Sequence, residues 1–191
     1  PAPPADAKGL FKAAVRDDNP VMIFEHKLLY GSKGARTESG AVDGSCEVPD
    51  EDFTVPLDRA AVARDGEQVT VLGWLLMHHF ALAAAETLAT EGIDAEVIDV
   101  RCLSPFDYDT IGRSVRKTGY VVIVEEGPVT GGVGAELAAG ITERFGEYLM
   151  EPVRRVASPD VPVPFAPVLE NAYRPDAERI AEGVRLLLQS H

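Results

Sequence analysis

Hydrophobic residues recur along this chain at two different periods, and the change of period marks out its elements. Leu10, Phe11, Ala14 and Val15 fall at helical spacing within residues 5–17, and Pro20 stops the pattern. Val21 to Phe24 is a short continuous apolar run between that helix and a polar stretch, which predicts a buried parallel strand. Residues 31–54 are rich in glycine, small polar residues and acids and hold almost no large apolar side chains. A linker or a long ordered loop is expected there.

From about residue 58 strands and helices alternate. Ala60 to Ala63 reads as an edge strand and Val69 to Leu72 as a buried one. An alanine-rich helix over 77–90 ends at Gly92, and Ala95 to Val100 forms the next strand. Asp107 can cap a helix whose stripe includes Ile111 and Val115, with Lys117 and Gly119 at its end. Tyr120 to Val124 is the most apolar strand, and a glycine-rich turn leads from it to a helix at about 133–146. Val153 to Val156 is shorter and more polar, as befits a strand near an edge. After a proline-rich loop from Pro159 to Pro167, a last helix starts near Pro175 with the stripe Ile180, Val184, Leu187 and Leu188. This alternation predicts an α/β fold, a mostly parallel sheet with helices on both faces.

Charge narrows the function. Lys and Arg number 18 against 31 Asp and Glu, a net charge of −13. That sign repels phosphate backbones and anionic lipid, so neither nucleic acid nor a membrane is expected as a partner. A basic protein partner is compatible with it. Cys46 and Cys102 are far apart and fit neither a disulfide framework nor a zinc knuckle, which suits a reducing cytoplasm. No apolar run approaches the roughly 20 residues of a membrane span. Pro1 to Pro4 lacks the pattern of a signal peptide and reads like the middle of a protein.

Three segments are candidates for chemistry. The turn from Glu125 to Gly134 lies between a strand and a helix, where phosphate loops occur, but only Gly132 and Gly134 match the dinucleotide fingerprint and position 137 is leucine. Two carboxylates just upstream would repel a pyrophosphate, so a tight packing turn is the expectation. Asp17 and Asp18 follow a helix C-terminus, where unpaired carbonyls and a carboxylate can hold a hard cation. The competing reading is a solvated turn with either Asp paired to Arg16. Glu25, His26 and Lys27 follow the first predicted strand, at the end where α/β sheets face ligands, and can move protons or recognise anions. The alternative there is a polar strand end at the surface. His78 and His79 are adjacent at a helix start and face different ways, which disfavours a metal pair. Trp74, near a strand end, is expected in packing or at an interface.

Several collinear runs resemble one family. They are Asp6-Ala7-Lys8-Gly9-Leu10, Arg16-Asp17-Asp18-Asn19-Pro20 and Glu25-His26-Lys27-Leu28-Leu29-Tyr30-Gly31. Further along come Glu96-Val97-Ile98-Asp99, Leu103-Ser104-Pro105, Lys117-Thr118-Gly119 and Val124-Glu125-Glu126. Gly131-Gly132-Val133-Gly134-Ala135-Glu136 and Val161-Pro162-Val163-Pro164 complete the set. Together they resemble the C-terminal portion of β-subunits of thiamine-diphosphate-dependent 2-oxo acid dehydrogenases, the pyruvate, branched-chain and acetoin enzymes.

The resemblance implies three parts. Residues 1–30 are the terminal helix and strand of a pyrimidine-binding-type α/β domain, 31–56 a linker loop, and 57–191 a transketolase-type C-terminal domain. It implies that thiamine diphosphate and magnesium serve the intact assembly and are not bound by this chain alone, because the activating glutamate and the active-site histidine lie upstream of Pro1. No catalytic residue is therefore expected within the chain, and His26 is a substrate-channel candidate. The acidic turn becomes a potassium site formed by Ala14, Val15, Asp17 and Asn19. The implied partners are the α-subunit, a second β-subunit and the acyltransferase core, whose binding module would meet an acidic surface. A standalone interaction domain without activity is the alternative. The loop from Ser32 to Asp52 departs from the family by an insert around Ala35 to Cys46.

Overall fold

The structure, a computed structural model, describes residues 1–30 and 42–189. Among these, helix α1 spans Pro4–Arg16, strand β1 Ala61–Arg64, β2 Val69–Gly73, helix α2 Leu76–Thr90 and β3 Ala95–Asp99. Helix α3 spans Tyr108–Thr118, β4 Val121–Pro128, α4 Val133–Phe145, β5 Arg154–Ser158, α5 Pro167–Tyr173 and α6 Ala177–Leu188. The strands form one sheet in the order β1-β3-β2-β4-β5. Every neighbouring pair is parallel except β1, which lies antiparallel against β3 at the edge.

The sheet is apolar on both faces, as a parallel sheet under two helix layers must be. Val69, Val71, Val97, Val122 and Val124 pack with α2 and α6 on one side. Leu72, Ile98, Val121 and Ile123 pack with α3 and α4 on the other. Each such side chain, removed from water, contributes about 1.5–3 kcal/mol. A polar inclusion sits between β2 and α3, where Thr70 Oγ1 lies 2.6 Å from Ser114 Oγ and 2.8 Å from Thr118 Oγ1. These hydroxyls satisfy one another, so their burial is not penalised.

Local signals set the helix ends. The Asp107 side chain accepts from the Thr110 N–H, and Gly119 closes α3 in the left-handed conformation at φ +70°. The Asp176 side chain caps α6 by accepting from the Arg179 N–H. The edge strands fall where expected, with β5 paired only to β4.

Two expectations are corrected. Val21 to Phe24 is not a buried strand. The segment belongs to no ladder and leaves Met22 79% and Phe24 59% exposed. An apolar run becomes a strand only where an edge offers hydrogen bonds, and the two edges of this sheet lie elsewhere. The proline-rich stretch is also not wholly loop, since Pro167 starts the seven-residue α5 at a position where its missing N–H costs nothing. Part of the expected insert, residues 35–41, lies outside the described residues.

α1 is fastened to the rest of the molecule. Arg101 donates to both oxygens of Asp6, at 2.6 and 2.7 Å. On another side of α1, Lys12 and Arg16 each reach Asp52 at 2.7 Å, and Lys8 donates to the carbonyls of Pro49 and Glu51. Basic residues four apart form one stripe along the helix, and that stripe holds the segment 49–52.

Candidate functional site

β2 and β4 are neighbours in the sheet, and the chain leaves β2 through α2 toward β3 on one side and leaves β4 through α4 toward β5 on the other. The crevice beyond the C-terminal ends of β2 and β4 is therefore the topological switch point, where open α/β sheets place their ligands. Two features of β4 occupy it.

The first is Glu125, fully buried at the end of the strand. Its Oε2 accepts the backbone N–H of Gly134 at 3.0 Å, in the first turn of α4. The carboxylate thus takes the place at the helix N-terminus that a bound phosphate would need. Burial pushes its carboxyl above the usual range, opposed by the N–H groups of Gly134 and Val133. The packing turn expected from sequence is what the chain forms, and glycine is needed there for space. A Cβ on Gly134 would meet Glu125 Oε1 at 2.5 Å, and one on Gly132 would meet the Pro128 carbonyl oxygen at 2.5 Å.

The second is Glu126, whose Oε2 lies 2.6 Å from Nε2 of His26. His26 Nδ1 accepts the N–H of Leu28 at 3.2 Å. With Nδ1 accepting, the ring proton sits on Nε2 and is donated to Glu126. His26 therefore does reach the ligand end of the sheet, held there by a carboxylate 100 residues away. Sequence alone named the histidine but not its partner.

The acidic turn is an exposed loop. Asp17 Oδ1 accepts from the backbone and side-chain N–H groups of Asn19 at 2.8 and 3.0 Å, which hold its carboxyl below the usual range. The Asp17 N–H turns back to the Ala14 carbonyl at 3.3 Å. Arg16 pairs with Asp52 rather than with its neighbours, so the ion pair considered from sequence gives way to one across the chain. The Ala14 carbonyl and Asp17 Oδ1 thus each already accept a hydrogen bond within the turn.

His78 is buried, and that burial drives its imidazole down to about 4, so it is neutral at physiological pH. His79 Nε2 lies 3.3 Å from the Ala2 carbonyl oxygen. The two rings meet edge to face at 5.2 Å and do not converge on one point. Among the described residues, no three His, Cys, Asp or Glu side chains gather as a metal cluster.

A cavity of about 620 Å³ opens between the segment 17–24 and the C-terminal ends of β2 and β3. Leu10, Phe24, Trp74 and Leu103 form apolar wall, and Asp99 and Arg101 reach it from the end of β3. Two residues on this wall hold left-handed backbone, Leu75 at φ 52° and Arg101 at φ 56°. Asp99 is 2% exposed, and its Oδ1 accepts the Arg101 N–H at 3.0 Å. Its Oδ2 has no partner among the described residues. Burial lifts this carboxyl to about 6. Sequence reasoning assigned no role to Asp99. The available signal was a carboxylate at the C-terminal end of a strand, on the side where ligands bind.

Comparison with known proteins places these features in a wider group. The family described as the transketolase C-terminal domain matches residues 58–180. A chloroplastic pyruvate dehydrogenase E1 component subunit beta-2 of Arabidopsis thaliana is 45% identical over 97% of this chain and 43% of its own length. The beta subunit of acetoin:2,6-dichlorophenolindophenol oxidoreductase from Cupriavidus necator is 40% identical over 97% of this chain and 51% of its own. The chain thus spans about half the length of the curated relatives it matches. Among solved structures, a split-gene transketolase described as an inactive beta4 tetramer aligns with TM-score 0.66 and 33% identity, over 76% of this chain and 47% of that one.

Proposed function

We propose, on the premise that this chain belongs to the transketolase C-terminal domain family, that it is the C-terminal portion of the β-subunit of a thiamine-diphosphate-dependent 2-oxo acid dehydrogenase. The observation that carries this reading is 45% identity to a pyruvate dehydrogenase β-subunit over 97% of the chain, which extends beyond the family match into α1 and the His26 segment. The intact assembly would decarboxylate a 2-oxo acid and pass the acyl unit to lipoamide. The division into residues 1–30, 31–56 and 57–191 belongs to the same proposal.

In the intact assembly thiamine diphosphate would supply the nucleophilic carbon and the electron sink for decarboxylation. The described residues do not fit it. The one glycine-rich helix N-terminus is filled by Glu125, and that carboxylate would repel a diphosphate. The role left to this chain is assembly. It contacts the α-subunit and a second β-subunit, and it docks the acyltransferase core through its acidic surface. His26, oriented by Glu126, borders the substrate channel. Ala14, Val15, Asp17 and Asn19 contribute to a potassium site completed by other residues. No helix among those described is long and apolar enough to cross a membrane, and a cytoplasmic setting is part of this proposal.

The test is capture of the 191-residue chain by a dehydrogenase α-subunit and by the subunit-binding segment of an acyltransferase. Charge-driven docking predicts that the second capture weakens steeply as salt rises. Failure of both at low salt overturns the assignment. The chain with thiamine diphosphate and magnesium alone is expected to give no lipoamide-dependent decarboxylation, and turnover there overturns the division of labour.

A further inference from the structure

We propose that the cavity at the C-terminal ends of β2 and β3 is a binding site for a small amphiphilic amine, with Asp99 receiving the ammonium and the apolar wall receiving the body of the molecule. The proposal does not depend on the dehydrogenase reading.

Three observations meet here. The cavity lies at the ligand end of a parallel sheet and, at about 620 Å³, is of a size that encloses a small organic molecule. Its wall is mainly apolar, with Trp74, Leu103 and Pro105 on the sheet side and Met22 and Phe24 opposite. Asp99 lines it and is 2% exposed, and its Oδ2 is a buried acceptor without a hydrogen bond among the described residues. Leaving such an oxygen unpaired costs about 1–3 kcal/mol, and native proteins tolerate it chiefly where a ligand, water or ion completes it.

The chemistry of the ligand follows from what is already committed. Arg101, the side-chain cation on this wall, directs its Nε–H and one Nη–H to the two oxygens of Asp6, which already balance its charge. Cys102 is held as a neutral thiol by burial. The remaining free polar terminus is an acceptor, and Asp17 on the same wall adds a second negative charge. A ligand head must therefore donate, and a primary ammonium satisfies both the hydrogen bond and the charge. A carboxylate or phosphate head would face the carboxylates of Asp99 and Asp17, with the Pro1 amino group as the one unpaired positive charge among the described lining residues. The body must be apolar and compact, such as a phenyl or branched aliphatic group, to replace the water on Trp74 and Phe24.

Titration calorimetry of the 191-residue chain with 2-phenylethylammonium, beside 3-phenylpropionate of the same shape and opposite charge, tests this near neutral pH. The ammonium probe is expected to bind at least about tenfold more tightly than the carboxylate, and Asp99→Asn to remove at least about tenfold of that affinity. Amide and indole N–H resonances of Trp74, Arg101 and Leu103 should shift during the titration. No binding of the ammonium probe, equal binding of the two probes, or shifts confined to other parts of the sheet would each overturn the proposal. Since the two probes are compared on the unmodified chain, the result does not hinge on the variant's stability. Loss of α-subunit capture in the preceding test would leave this binding unchanged.

Discussion

Gly134 gives its backbone N–H to Glu125 across 3.0 Å, so the N-terminus of α4 holds a carboxylate supplied by the strand that precedes it. The strand, the turn and the helix are locked by one interaction nine residues in span. The glycines exist to let the side chain lie against the backbone, which no larger residue would permit.

Substituting those glycines should therefore separate two kinds of crowding. In Gly134→Ala the new Cβ meets the Glu125 side chain at 2.5 Å, whereas in Gly132→Ala it also meets the Pro128 carbonyl at 2.5 Å. Each is expected to cost about 1–3 kcal/mol. Adding Glu125→Ala should recover part of the loss in the first case and little in the second, because backbone cannot withdraw. Urea denaturation of the single and double variants measures the coupling. Equal rescue in both would show that the side chain alone sets the spacing.

The fold was legible where a signal was local. Asp107 and Gly119 mark both ends of α3, and the apolar runs at Val69 and Val121 give the central strands, because caps and periodicity depend on neighbours a few residues away. Val21 to Phe24 failed because its strand reading needs a partner that the local pattern does not encode. The sites were less legible for the same reason. Glu125 and Gly134 were both noticed, yet their contact depends on how the turn folds back. His26 and Glu126 are 100 residues apart, and Asp6 and Arg101 are 95 apart, distances that one sequence does not bridge.

The His26–Glu126 pair is expected to order the 25–30 segment with little effect on global stability. Its members are partly exposed, so the pair contributes under about 1 kcal/mol after solvent screening. His26→Ala should leave the thermal midpoint nearly unchanged while hydrogen exchange at the Leu28 amide, which donates to His26 Nδ1, speeds up. Unchanged exchange at Leu28 would remove the histidine from its anchoring role.

Asp6 and Arg101 carry a larger share. Asp6 is buried, and a two-pronged pair with one member removed leaves a charge without its partner, a loss of about 3 kcal/mol. Asp6→Ala should lower stability by roughly that amount and expose the amides of α1 to exchange. Arg101→Lys is expected to rescue poorly, because an ammonium does not span both oxygens. Full stability in the lysine variant would mean that charge alone docks the helix.

Asp99 gives the protein a pH dependence of definite sign. Its carboxyl is lifted from 3.8 to about 6, chiefly by burial and further by Asp6, against the opposing pull of the Arg101 N–H, the Arg101 charge and the amino terminus. A folded-state value above the unfolded one means that the native protein holds a proton which the unfolded chain has lost. Its contribution is fully present below about 4 and is lost as pH rises through about 6. The difference between those values corresponds to about 3 kcal/mol. Asp99→Asn stays neutral at every pH, so its stability relative to the parent should climb between about pH 4 and 6 and then level off. Carboxylates such as Asp17 and Glu91, whose values are lowered by their partners, pull the stability of both proteins the opposite way and cancel in the difference. Thermal midpoints measured for both proteins across that range decide the matter. A flat difference would mean that Asp99 finds a partner for its second oxygen in solution, and so is no longer the free acceptor that lines the cavity.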